Sequence, residues 1–407
     1  MQLSTRPAWF WCLFCAVTMS LGWGLRGSIG GGSLGAMIPG AMIGLALCFF
    51  LGRESDAGLI AALGAVGVGF GGQETYGQTV GLSLHPETFW WAILGFALKG
   101  AAWGLLGGAF IGIGLDRDKL PNRRILVALA AMVLGTWAGW MFIDHPKLMY
   151  FSNRLEKPRE EMWAGLCVGG LCLLGVLRAR VPAWFALFGC LGGGLGFAFG
   201  ASLQPWGKGI WFEMPLGWWK AMELSFGAIL GVSYSWCAWR LRKDLTREGS
   251  QPEAASPAWA AIVSAGVAIG LAVYVGEELQ VRFSYTVAGA VLAALVLYSR
   301  TLAWQTAITT TYAAFTWDLH DQLKWAPQAA IWVFLVITTI LVAVLVARYA
   351  RARTMFLLLT WTAIVNSFRY LQPPLRPEPM TMIPLFVVFA ILISWMRAEA
   401  QPEPRSV

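Results

Sequence analysis

AWFWCLFCAVTMSLGWGLRGSIGGGSLGAMIPGAMIGLALCFFL, residues 8–51, carries one charged side chain, Arg26, in forty-four positions. A hydrocarbon layer about 30 Å thick is crossed by about 20 apolar residues of helix. The stretch holds two such runs, 8–25 and 34–51, on either side of a glycine-rich hinge. The same length recurs along the chain at 58–76, 89–115, 124–143, 161–177, 182–203, 217–239, 258–276, 284–299, 301–317, 328–347, 354–371 and 381–396. The expectation is an all-α, polytopic integral membrane protein with about fourteen transmembrane helices.

The composition agrees. Of 407 residues, 57% are hydrophobic and 13% charged, and mean hydropathy is +0.60. Fourteen spans leave roughly 127 residues for connections and tails, too few for a sizeable domain outside the membrane. Chemistry or binding is therefore expected inside the bilayer or at its edge. Arg6 followed by an apolar run without a small-residue cleavage site reads as a retained first helix. All seven cysteines fall inside apolar runs, where a thiol packs as a small hydrophobe, and no disulfide is expected.

Orientation follows from the basic residues. Eighteen of the thirty Lys and Arg fall in the tails and even-numbered connections and ten in the odd-numbered ones, so the positive-inside rule places both termini in the cytoplasm, as for a bacterial inner-membrane protein. The net charge of +8 is then a cytoplasmic face meeting anionic headgroups, with membrane lipids rather than nucleic acid as partner.

Glycine divides the chain. Forty-three of 47 glycines lie at or before Gly249, and the boundary coincides with DLTREGSQPEAASP, 244–257, a cytoplasmic linker by composition. The expected organisation is a glycine-rich eight-helix part at 1–243, a six-helix part at 258–398 and a tail at 399–407. Residues 57–119 resemble 179–243: each runs from a basic turn through a Gly-Phe helix (GVGFGG, GLGFAFG) and a Gln-bearing connection to a Trp pair and a charged helix. This predicts two parallel four-helix repeats, approximately 1–119 and 120–243, related by an axis along the membrane normal.

Glycines at 100, 104, 108 and 112 and at 192, 196 and 200 form helix-face stripes, where missing side chains let backbones approach. Two segments, 22–35 and 69–81, are too glycine-rich for regular lipid-facing helix and read as re-entrant turns or crevice walls. Arg26 beside the first is placed to receive an anion.

Ionisable residues inside spans are costly and so are candidates for function. Lys99 and Glu223 occupy similar positions in the two repeats and are the expected pair, whereas Lys220 and Glu213 are expected to snorkel. No nucleotide, serine-nucleophile or cofactor motif occurs. The pattern points to a secondary transporter or permease for a small polar or anionic solute, with Arg26, Gln73, Glu74, Lys99, Gln204 and Glu223 between the repeats. The alternative is a membrane-embedded transferase or hydrolase acting on a lipid-linked substrate at the outer leaflet, with Asp144, His145, Asp318, His320 and Asp321 as its acids and bases.

Overall fold

The computed structural model describes residues 6–28, 31–74, 76–152, 160–210, 216–246, 255–278, 283–322, 326–368, 371 and 376–399, and these contain helices and turns with no strand. The helices are α1 (Ala8–Ser28), α2 (Gly32–Leu51), α3 (Ala57–Gly71), α4 (Gly77–Ser83), α5 (Phe89–Leu115), α6 (Asn122–Gly139), α7 (Trp163–Leu177), α8 (Arg180–Ile210), α9 (Trp218–Leu245), α10 (Ala258–Ile269), α11 (Ser284–Val296), α12 (Arg300–Trp304), α13 (Thr310–Gln322), α14 (Gln328–Arg348), α15 (Ala352–Ser367) and α16 (Pro377–Glu399). Wider π-turns continue α6 over Trp140–Asp144, continue α10 over Gly270–Glu278 and join α12 to α13.

Each of the fourteen apolar ranges contains helix among its described residues, though 58–76, 284–299 and 354–371 reach past the helix ends. Among the described residues, eight helices, α1, α2, α5, α6, α8, α10, α14 and α16, are long and apolar enough to cross a membrane, and α7 and α11 are shorter apolar helices. By length and composition these helices are compatible with a multi-pass membrane protein. Among the described residues, α4, seven residues long, is an α-helix outside the fourteen ranges.

Burial separates helices that hydropathy treats alike. The apolar window of α2 is 94% buried by protein and that of α14 only 22%, though both exceed the hydropathy of a membrane span. A helix apolar all round and covered by protein belongs to the centre of a bundle, whereas α14 leaves most of its apolar surface uncovered by protein.

The centre is a closed ring of six helices in the order α1, α2, α3, α5, α8, α9, each antiparallel to its neighbours. Glycine makes the contacts. A Cβ at Gly104 would overlap the Gly189 carbonyl and one at Gly100 the Gly193 carbonyl, so α5 and α8 touch backbone to backbone. Gly192, Gly196 and Gly200 form a separate face of α8, against α9. Gly40 of α2 meets Gly64 of α3, and Gly227 and Gly231 of α9 meet Met19 and Cys15 of α1. Aromatic rings fill the interior: Trp23 lies 5.3 Å from Trp103 and 4.4 Å from Phe226, and Phe197 lies 4.8 Å from Phe226.

Both similar stretches, α3 with α5 and α8 with α9, are antiparallel hairpins within this ring. The other two hairpins differ: α1 and α2 close the ring, while α6 and α7 lie outside it, α7 against α5 and α6 against α7 and α11. The expected crevice at 22–35 is also narrower than the glycine count implies. Helix α1 continues through Trp23, Gly24 and Arg26 to Ser28, and α2 begins at Gly32. Glycine is needed there for close approach instead, since a Cβ at Gly22 would press on Pro39 and one at Gly27 on the Glu223 carboxylate. Gly31 and Gly32, with φ of +81° and +63°, make the turn itself.

Candidate functional site

Helix α5 is 27 residues long, about 40 Å at the α-helical rise, and Lys99 lies ten residues from its start. Two connections fold inward to meet it. From the α3–α4 turn, Glu74 Oε1 stands 2.9 Å from Lys99 Nζ, and Lys99 donates a 3.0 Å hydrogen bond to Thr79 of α4. From the segment before α7, Glu161 Oε1 stands 3.2 Å from the same ammonium. All three charged side chains are sealed, at 1%, 0% and 2% exposure for Lys99, Glu74 and Glu161.

Removing such ions from water costs several kcal/mol each, so they persist only where partners surround them. The Phe151 amide donates to both oxygens of Glu161, at 3.1 and 3.0 Å, and the Met162 amide donates to Glu74 Oε2 at 2.7 Å. Two carboxylates nevertheless share one ammonium. Burial pushes the Glu161 carboxyl above the usual carboxylate range; Lys99 pulls it down and Glu74 pushes it up again.

A second set lies alongside. The Arg26 guanidinium sits 5.4, 5.5 and 5.0 Å from the ring centres of Trp23, Tyr76 and Trp103 and donates to the Tyr76 hydroxyl at 2.9 Å. It is buried, its Nε has no hydrogen-bond partner, and no carboxylate among the described residues is in ion-pair distance. Aromatic faces ease its burial without cancelling its charge. Trp219 stacks on Tyr76 at 5.6 Å and donates to Glu223 Oε1 at 3.0 Å. Lys220 Nζ pairs with Glu223 Oε2 at 2.7 Å and donates to the Gly24 carbonyl at 2.9 Å.

One short turn joins the two sets, since Glu74 reaches Lys99 and Tyr76 reaches Arg26. Gly72 at its head lies directly on the Gly32 and Ser33 backbone, where a Cβ would overlap. The two glycine-rich segments 22–35 and 69–81 are therefore in contact.

Of the residues expected from sequence, Arg26, Glu74, Lys99 and Glu223 fall in these two adjoining sets. The expected Lys99–Glu223 pair does not form. Helix α8 stands between α5 and α9, so each charge finds a nearer partner: Lys99 takes Glu74 and Glu161, and Glu223 takes Lys220. Lys220 accordingly is buried and does not snorkel. Gln73 exchanges hydrogen bonds with Thr286 of α11 at 2.9 and 3.1 Å, tying α3 to α11. Gln204 is buried against Met222, its Nε2 3.4 Å from the sulfur.

Asp144 and His145 diverge although adjacent in sequence. Asp144 accepts the Gly165 and Ala164 amides at 2.9 and 3.4 Å, capping α7, and His145 Nδ1 lies 3.0 Å from Glu160. The side chains of Asp318, His320 and Asp321, and Glu213, lie outside the described residues.

Sequence reasoning missed Glu161, Thr79, Tyr76 and Trp103. The available signal was the Glu160–Glu161 pair directly before MWAGLCVGGL, a carboxylate at the mouth of an apolar run. The chain matches no protein-family model, no curated protein and no solved structure.

Proposed function

We propose that this protein is a proton-coupled secondary transporter, a permease for a small polar or anionic solute. In this reading all fourteen helical segments cross a bacterial inner membrane, both termini are cytoplasmic, and the two four-helix units seen in the sequence are parallel repeats. The observation that carries the proposal is the Lys99 site: two sealed carboxylates on one ammonium, part-way along a membrane-length helix. Intramembrane ionisable groups of this kind serve proton relays and solute paths.

Each residue then has a task. Glu161, with its raised affinity for protons, takes up and releases the coupling proton, while Lys99 holds the surplus negative charge when the proton is gone. Arg26 and the Tyr76 hydroxyl receive the anionic or hydroxylated part of the solute, with Trp23 and Trp103 as apolar walls. An anion arriving at Arg26 makes the neighbourhood more negative and favours protonation of the carboxylates next to it, so solute and proton move together. The turn at Gly72–Glu74, braced by Gly72 on Gly32, is the mechanical link.

The test uses sealed liposomes containing the purified protein and an internal pH-reporting dye. Inward gradients of monocarboxylates, dicarboxylates, amino acids and hexoses are imposed in turn. One class is expected to acidify the interior through the wild type and not through Lys99→Met or Arg26→Met. Solute uptake without proton movement, or no uptake of any class, would contradict the proposal.

A further inference from the structure

At the opposite end of the ring, α5, α7 and α9 finish at Leu115, Leu177 and Leu245, and α6 and α8 begin at Asn122 and Arg180. Between them lies a cleft of about 490 Å³ whose charged lining is Lys119, Arg124, Arg178, Arg180, Asp116 and Asp244. Asp116 is taken by Lys119 at 3.2 Å, and Asp244 lies 3.6 Å from Arg180. Two arginines remain. Arg124 and Arg178 are anchored by Nε to the last carbonyls of α7, Val176 and Gly175, each at 3.2 Å. Neither has a carboxylate partner among the described residues.

Arg178 adds an independent observation. It ends α7 with φ +43° and ψ +42°, the left-handed conformation, its amide closing the helix on Leu174. Glycine or asparagine adopts this conformation readily, and a longer side chain there carries strain. A strained backbone kept at a charged position points to a use for that side chain beyond ending the helix.

The surroundings name the ligand's chemistry. From Arg180 an exposed apolar row of Trp184, Leu187, Leu191 and Leu195 runs along one face of α8, at four-, three-, four- and four-residue steps. A cationic cleft where five helices end, opening on an apolar row that runs along the membrane span, fits an amphiphile with an anionic head. A freely soluble anion would leave the row unused. We propose that this cleft binds the phosphate of an anionic phospholipid, held by Arg124, Arg178 and Arg180, with an acyl chain along the α8 row. This site is separate from the Lys99 and Arg26 sets and does not depend on the transport reading.

The test is thermal unfolding of the full-length protein in neutral detergent, with phosphatidylglycerol, phosphatidylcholine or inorganic phosphate added. Phosphatidylglycerol is expected to raise the midpoint by a few degrees, and the other two to leave it in place. Arg178→Asn suits the left-handed conformation and is expected to match or exceed the wild-type midpoint without lipid while losing most of the phosphatidylglycerol shift. Arg124→Gln combined with Arg180→Gln, both near the surface, is expected to lose it as well. An equal shift from phosphatidylcholine would overturn the charge assignment. Inorganic phosphate reproducing the shift would overturn the lipid as ligand, and a full shift retained in both variants would overturn the site.

Discussion

Lys99 and Glu161, sixty-two residues apart in the chain, meet at 3.2 Å although Glu74 already stands 2.9 Å from the same ammonium. A structural ion pair needs only one carboxylate. The second is an excess carboxylate in a sealed place, tolerated through the amide of Phe151, and in the proposed transport cycle it is the group that takes the proton. The remaining expectations follow from that imbalance and from the glycine contacts that hold the ring closed.

Removing the shared cation is expected to be the most damaging single change. Lys99→Met leaves two buried carboxylates facing each other, and breaking a buried pair from one side costs about 3–5 kcal/mol. Thermal unfolding in detergent should show a large fall in midpoint. Glu161→Gln, which leaves the Glu74–Lys99 pair whole, should fall much less.

Acidity should act through Glu161. Burial raises its folded-state affinity for protons above that of the unfolded chain, so it costs no stability at low pH, where both states are protonated. As pH rises from the ordinary carboxylate range through the raised folded value, the unfolded state ionises first and stability is lost. The unfolding midpoint is therefore expected to drop on going from mildly acidic to neutral buffer. Glu161→Gln should flatten that drop; an unchanged slope in the variant would assign the pH dependence elsewhere.

The ring predicts opposite outcomes for two glycines. Gly104→Ala drives a Cβ into the Gly189 carbonyl, backbone against backbone, and overpacking of this kind costs about 1–3 kcal/mol. Gly175→Ala has open space around its Cβ in α7 and should be neutral or gain up to about 1 kcal/mol in helix propensity. Unfolding midpoints of the two variants, measured side by side, check the contact.

Arg53 locks the end of the ring away from Lys99. Its buried guanidinium donates to the last carbonyls of α5 and α9, Leu115 and Leu245, at 3.1 Å each, and to Asp56 at 2.7 Å. A cation where two helices end complements both their dipoles. Arg53→Met should cost about 1.5–3 kcal/mol, the usual range for hydrogen bonds to a charged group. Hydrogen exchange should rise in the last turns of α5 and α9 while α14 is unaffected.

Helices were legible in the sequence because apolar length alone decides them: every apolar range from 8–25 to 381–396 contains helix among its described residues. Which helices lie inside was not, since α2 and α14 are equally plausible spans and only tertiary contact separates a protein-covered helix from a lipid-covered one. The glycine stripe of α5 marked a real interface, yet its partner was hidden. Gly189 and Gly193 meet it, whereas the more conspicuous row of Gly192, Gly196 and Gly200 faces α9. Arg26, Glu74, Lys99 and Glu223 stood out as charges in apolar surroundings. Glu161 did not, because it sits in a polar connection, and only folding carries that connection inward to α5. Internal similarity suggested Lys99 against Glu223, but charge pairing follows distance, and Lys220 and Glu74 lie nearer.

The most direct measurement of the central claim, that the Lys99 site carries protons and is more than a structural clasp, is to neutralise it entirely. The variant Glu74→Gln, Lys99→Met and Glu161→Gln removes all three charges at once. No charge is left buried without its partner, and each Gln keeps a carbonyl oxygen for the Phe151 and Met162 amides, so the protein should stay folded. Its unfolding midpoint and its proton flux in liposomes are then read together. A midpoint at or near the wild-type value is expected, with solute-driven proton movement abolished. A folded triple variant that still moves protons with solute would show the site to be structural and would contradict the account.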